Sequence, residues 1–161
     1  MKNFKKPTPY IVMLAFVVLL SLLCSVFCFQ LLMIQGQSMA PTFHNAELCI
    51  INKMYRDYQV GDCVFFYCDG PELYLVKRIA ALPGDTVQIS GGTLLVNGSP
   101  AQAYPGCPAI EDAGLAAEEI IVPEGHYFVL GDNFSHSIDS RHAEVGFVSA
   151  ESIKGKIIPV I

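Results

Sequence analysis

Three groups of polar residues stand out in a largely apolar chain of 161 residues as places where chemistry could be done. The first is Gly36-Gln37-Ser38-Met39-Ala40-Pro41-Thr42, in which Ser38 offers a hydroxyl nucleophile. A nucleophile elbow of the hydrolase kind needs Gly-x-Ser-x-Gly between a strand and a helix. Ala40 and Pro41 break that pattern, so Ser38 taken alone reads as a plain turn serine, with Pro41 ending the segment. The second group, Leu75-Val76-Lys77-Arg78-Ile79, lies in a segment whose alternation sets Lys77 on one face with Leu73, Leu75 and Ile79. If that face packs inward, desolvation lowers the amine's pKa from about 10.4 by roughly 2–3 units, towards the range of a general base. A lysine that snorkels to solvent or guards an edge strand has the same local sequence. The third is Gly131-Asp132-Asn133 followed by Ser137-Ile138-Asp139-Ser140-Arg141, a polar loop in which Asp139 and Arg141 can pair. Its plain reading is a turn-rich loop held by Asx turns and one ion pair.

These groups need a scaffold, and the sequence predicts a mainly β one. Leu48–Ile51, Val60–Tyr67, Leu73–Leu82, Thr86–Ser90, Thr93–Val96, Ile120–Val122, His126–Leu130, Val145–Val148 and Ile153–Val160 are short, β-branched or aromatic, and separated by Gly, Pro, Asn or Asp. Gly91-Gly92 and Asn97-Gly98 carry the composition of hairpin turns. Residues 99–118 read as an irregular excursion, with a helical turn or two expected within Ala109–Glu119.

Ahead of this scaffold lies a different kind of segment. Of the first 35 residues 24 are apolar, against 60 of the remaining 126, and no charged side chain occurs between Lys6 and Glu47. Tyr10 to Ile34 is long enough, as a tilted helix, to cross the ~30 Å hydrocarbon core. It is too long for the core of a cleaved signal peptide and lacks a small-x-small site, so a retained anchor is expected. Lys2, Lys5 and Lys6 place its N-terminus in the cytoplasm and everything after about Gln35 outside. That outer part carries seven Lys+Arg against fifteen Asp+Glu, which excludes the basic footprint of a nucleic-acid binder. Cys49, Cys63, Cys68 and Cys107 permit three full pairings or none, and the Cys63-x4-Cys68 spacing is poor evidence for a metal. The outer part is also poor in charge, from which we expect an apolar rim at Met39, Phe43 and the Val64–Tyr67 strand resting on the bilayer.

In order and spacing the three groups resemble the boxes of the type I signal peptidases, membrane-bound serine proteases that remove signal peptides from exported preproteins. Ser38-Met39-x-Pro41-Thr42 is similar to the nucleophile box, Gly61-Asp62-Cys63-Val64-Phe65 to the box that follows, and Lys77-Arg78-Ile79 with Leu82-Pro83-Gly84-Asp85 to the lysine box. Gly131-Asp132-Asn133 with Ser137-x-Asp139-Ser140-Arg141 is similar to the last, and Gly146-Phe147-Val148 with Ile153-x-Gly155-Lys156 to the C-terminal stretch. The resemblance implies a compact signal-peptidase-like β domain, residues 36–161, on the outer side of a single transmembrane helix, with residues 1–35 forming the cytoplasmic tip and anchor.

It further implies that Ser38 is the nucleophile, that its backbone N–H serves the oxyanion, and that Lys77 is the general base. Ser137 is expected to hydrogen-bond and orient the lysine amine, and Asp139 and Arg141 to hold the loop. No cofactor or metal is implied, and the partners are exported preproteins with small-x-small sites and the lipid bilayer. Lys77, where some relatives carry histidine, points to the bacterial group, and Gly36 to its smaller Gram-positive type. Gly36 departs from members with a serine two positions before the nucleophile, leaving the second oxyanion donor unassigned; Ala81 and Phe134 are lesser departures. A Ser-Lys protease with a membrane-proximal or self-cleaving role, or an inactive tethered β module, would carry many of the same features. A Ser-His-Asp arrangement using His44, His126, His136 or His142 with Asp139 is a further alternative.

Overall fold

A computed structural model describes residues 8–101 and 109–160. The three N-terminal lysines, Cys107 and the middle of the 99–118 excursion lie outside the described residues. Thr8 and Pro9 open helix α1 (Pro9–Cys28), where a proline in the first turn sacrifices no intrahelical bond. None of its 20 residues is buried, and it rises about 30 Å, the thickness of a bilayer's hydrocarbon core.

The apolar run does not continue as helix to Ile34. At Phe29 the backbone becomes extended, with φ −131° and ψ 149°, and Phe29–Met33 forms strand β1, antiparallel to β2 (Leu48–Asn52). The expected span therefore ends at Cys28. A uniformly apolar run carries no period that separates a lipid-facing helix from the strand that follows it, and here the partner strand β2 decides the boundary.

Nine further strands complete two antiparallel sheets: β3 (Cys63–Cys68), β4 (Leu73–Ala81), β5 (Thr86–Ser90), β6 (Thr93–Val96), β7 (Ser99–Pro100), β8 (Ile120–Ile121), β9 (His126–Leu130), β10 (Val148–Ser149) and β11 (Ile153–Pro159). The larger sheet has the order β1-β2-β11-β3-β4-β9-β10, and the smaller β7-β6-β5-β8. The two glycine-bearing hairpins form as expected, with Gly91, Gly92, Asn97 and Gly98 all at positive φ. Val145 and Gly146 are not in the expected strand; their N–H groups donate to the His142 carbonyl in a turn, and β10 begins only at Val148. The helical content expected near Ala109–Glu119 is one 3-10 turn, Gly114–Ala117.

Three apolar clusters hold the sheets. One joins β4 and β9 to the smaller sheet through Ala80, Val87, Phe128 and Leu130; a second packs Val64, Phe66, Ile79 and Val129. The third gathers Ile34, Met39, Phe43, Cys49, Ile51, Cys63 and Ile157 beneath the β1–β2 connection. Cys49, Cys63 and Cys68 are free buried thiols. The apolar rim is only partly where the sequence suggested: Met39, Phe43, Val64 and Phe66 are buried in these clusters, while Phe65 and Tyr67 are half-buried beside the exposed Tyr74. A further run of exposed apolar side chains is Phe29, Leu31 and Met33, with Leu48 and Ile158 on the neighbouring strands. Alternation along β1 explains this run, since its odd-numbered residues face outwards while Leu32 and Ile34 turn inwards.

Candidate active site

Ser38 lies in the connection between β1 and β2, which is short of regular structure but well tied. The Ile34 N–H donates to the Glu47 carbonyl and the Ala46 N–H returns the bond to Ile34, closing the loop at its base. Gly36 sits at φ +90°, a conformation that strains a residue with a Cβ, and its N–H donates to Asn45 Oδ1 at 2.9 Å. Met39 and Phe43 root the loop in the third cluster. From the far side, the Asn133 backbone N–H donates to the Ser38 carbonyl at 3.0 Å, and its side-chain amide to the Gln37 carbonyl at 3.1 Å.

Lys77 comes from the middle of β4, an interior strand paired with both β3 and β9, with Val64 opposite it on β3. Only 2% of the residue is exposed. Its Nζ is in hydrogen-bond contact with Ser38 Oγ at 2.7 Å, across 39 residues of sequence. Burial lowers the amine's pKa to about 8; the nearby Arg141 guanidinium adds to the fall, while Asp139 and Asp132 act against it. A fraction of neutral amine is thus available near neutral pH at a hydroxyl it can deprotonate.

The loop after β9 supplies the bracing. Arg141 and Asp139 form a buried ion pair with Nε–Oδ1 at 2.8 Å. The second Asp139 oxygen accepts from the Gly131 N–H at 3.0 Å, and Arg141 also donates to the carbonyls of Phe134, Ser137 and Asp112. Ser140 Oγ accepts from the Val129 N–H, so the loop folds back along β9. Gly131 itself fits tightly: a Cβ there would overlap Ser137 Oγ and the Ser38 carbonyl oxygen. Ser137 is buried, yet its hydroxyl makes no hydrogen bond among the described residues. The contact between Ser137 and the Lys77 amine that the resemblance implies is therefore not formed; the amine is turned to Ser38 Oγ instead.

Several members of the site escaped the sequence reading. Arg78 pairs with Asp132, Nε–Oδ1 2.8 Å, and donates to the Gly61 carbonyl and to Thr42 Oγ1, linking β4, the turn before β3 and the Ser38 loop. Adjacent Lys-Arg reads as local charge, and only the long-range pairing reveals a brace. Gly114, at φ +51°, lies close against the Arg141 carbonyl, which accepts from the Leu115 N–H, so the end of the excursion buttresses the same loop. Beside Ser38 opens a cleft of about 310 Å³ walled by Leu32, Ile34, Met39, Phe65, Tyr74 and Val76. Two of these walls were hidden inside the apparent membrane span. None of the four histidines contacts Ser38, and His142 lies 3.9 Å from an Asp139 carboxylate already engaged by Arg141, which removes the Ser-His-Asp alternative.

Comparisons with known proteins identify the family. The sequence profile described as "Signal peptidase, peptidase S26" matches residues 8–161. Signal peptidase I of Bacillus licheniformis is 34% identical over 152 residues, covering 86% of this chain and 79% of that protein. Signal peptidase I of Bacillus caldolyticus is 37% identical over 147 residues, covering 81% and 78%. The crystal structure of a signal peptidase I from Enterococcus faecalis aligns with a TM-score of 0.54 at 30% identity, covering 65% of this chain and 99% of that one. The helix and the family together fit a membrane-anchored protein. The chain belongs to the signal peptidases of peptidase family S26, serine hydrolases that remove signal peptides.

Proposed function

We propose that this protein cleaves exported preproteins through a Ser38–Lys77 dyad and an acyl-enzyme. The observation that carries the reading is the 2.7 Å contact between the Ser38 hydroxyl and a lysine amine buried to a pKa of about 8, at the edge of an apolar cleft. Neutral Lys77 takes the Ser38 proton as Oγ attacks the scissile carbonyl, forming a tetrahedral oxyanion. Among the described residues no acceptor takes the Ser38 backbone N–H, which leaves it to stabilise that charge, a donor worth about 3 kcal/mol. The Lys77 ammonium then protonates the departing amine, and the C–N bond breaks to leave an ester on Ser38. Water, deprotonated by the same amine, hydrolyses the ester and restores the serine. Asp139, Arg141, Arg78 and Asp132 position the two loops and do not touch the reacting atoms. Ser137, with its unsatisfied buried hydroxyl beside Gly131, provides a spare hydrogen-bond partner for the lysine amine once Ser38 is acylated.

Topology follows from the anchor: the N-terminal lysines stay in the cytoplasm, α1 crosses once, and the β domain faces outwards. An extended substrate strand enters the cleft between the Leu32–Gln35 and Tyr74–Val76 stretches, and its small side chains meet the apolar walls, which fits cleavage after Ala-x-Ala-like sites. Ser38 follows β1 closely and therefore works near the membrane surface, where a substrate tethered by its own apolar segment has a raised effective concentration.

The test is cleavage in trans. Full-length protein in detergent should cut a preprotein after its Ala-x-Ala site, with fragment masses fixing the bond, and Ser38→Ala should abolish cleavage. Cutting only of its own chain, or activity surviving in Ser38→Ala, would overturn the proposal.

A further inference from the structure

Seven lysines and arginines follow Gln35, and four of them are occupied. Lys77 contacts Ser38, Arg78 pairs with Asp132, Arg141 pairs with Asp139, and Lys156 is held by Asp62 at 2.6 Å beneath the Tyr55 ring. The other three, Lys53, Arg56 and Lys154, form no ion pair among the described residues, and all three line one cavity of about 680 Å³. Phe27, in the last turn of α1, and Gln30 of β1 line it too, and Glu151 is its one carboxylate. Arg56 donates to the Tyr55 carbonyl at 2.8 Å, and none of the three has a carboxylate partner among the described residues, although the residues after Gln35 include fifteen Asp+Glu.

Position supplies the second argument. The 20 residues of α1 match the hydrocarbon thickness, so Phe27 lies at its edge, where a headgroup layer of about 5–7 Å begins. Gln30 lies two residues, at most about 7 Å, beyond Cys28, so the cavity opens within reach of the lipid phosphates. We propose that it binds the phosphate of an anionic phospholipid in the leaflet from which α1 emerges. An acidic domain tethered to an anionic surface is otherwise repelled from it, and this site turns one edge of the domain towards the bilayer. Phe65 and Tyr74, stacked at 4.9 Å, line both this cavity and the cleft beside Ser38, so a bound lipid sits next to the end of the substrate groove. The inference rests on α1 spanning the membrane with the β domain at its surface, and it is independent of which bond the enzyme cuts.

Native mass spectrometry of the full-length protein, released from neutral detergent micelles containing equal amounts of phosphatidylglycerol and phosphatidylcholine, tests it. Each basic side chain near an anionic lipid surface contributes about fivefold to association, so a preference for phosphatidylglycerol of tenfold or more is expected, with the single opposing carboxylate included. The triple change Lys53→Gln, Arg56→Gln, Lys154→Gln should reduce that preference more than tenfold. Glu151→Gln should raise it severalfold, a gain that a disturbed fold cannot mimic. Ser38→Ala should retain the lipid unchanged, so a failure of the proteolytic reading registers separately from a failure of the lipid site. Equal retention of both lipids, a preference that survives the triple change, or displacement by inorganic phosphate or by an acidic peptide would each overturn the proposal; the last two would identify a free-anion site or a substrate contact.

Discussion

With a pKa of about 8, the Lys77 amine is still protonated in about nine molecules of ten at pH 7, inside a site only 2% exposed. The sign of the linkage follows. The folded pKa lies below the ordinary 10.5, so the cost to stability is full below about pH 8 and fades as pH rises towards 10.5. A shift of this size corresponds to roughly 3 kcal/mol. Lys77→Met keeps the length of the side chain and removes the charge, at the loss of one hydrogen bond worth about 1 kcal/mol. Chemical denaturation at pH 7 should therefore find this variant more stable by about 2 kcal/mol, with no proteolytic activity, and the gain should shrink at pH 10. The Asp139–Arg141 pair is the opposite case, because removing one member strands a buried charge. Arg141→Ala should cost about 3–5 kcal/mol in the same measurement. At this scale much was legible: Ser38, Lys77, Asp139 and Arg141 were all singled out from residue type and order, and the fold brings them together. The unbonded hydroxyl of Ser137 was not legible, since it depends on which way the lysine amine turns.

The Ser38 loop and the loop after β9 are positioned by each other, through the Asn133 hydrogen bonds to Ser38 and Gln37 and through the close approach at Gly131. Gly131→Ala forces its Cβ into Ser137 Oγ and the Ser38 carbonyl oxygen, while Gly131 is in no strained conformation that would forbid alanine by itself. A displacement of about 1 Å at the nucleophile costs on the order of a hundredfold in rate. We expect kcat to fall by that factor with little change in KM and an unchanged circular dichroism spectrum. A loss of KM alone would place the effect in the cleft. Strands were read well where polar and apolar residues alternate or turns punctuate the chain, as at β4, β5 and β6. The reading failed where neither signal exists. β1 is apolar on both sides of its pleat and continues the helix's composition, so only its pairing with β2 defines it. The Arg78–Asp132 brace was likewise invisible, because it joins residues 54 positions apart.

For the molecule as a whole, the boundary between anchor and enzyme falls at Cys28, ahead of the active-site connection, and β1 belongs to the catalytic sheet. Removal of residues 1–28 should leave a folded protease, because no residue of α1 is buried and its one long-range hydrogen bond among the described residues is from the Lys53 N–H to the Cys28 carbonyl. Removal of residues 1–35 takes away an edge strand, the buried Ile34 and two walls of the cleft, and should yield an inactive protein of much lower thermal stability. The thinness of charge in the outer part has a related source. Exposed Leu48 and Ile158 extend the outward apolar face of β1 into this part, and its positive charge without a carboxylate partner is gathered at the helix end. The central claim, that a buried lysine amine activates Ser38, is tested most directly by the pH dependence of kcat/KM for preprotein cleavage. The account predicts a rise of tenfold per pH unit that levels off at about pH 8, and no measurable rate at any pH in Lys77→Ala. An inflection near 10.5, one near the ordinary histidine value of about 6.5, or a surviving rate in Lys77→Ala would contradict it.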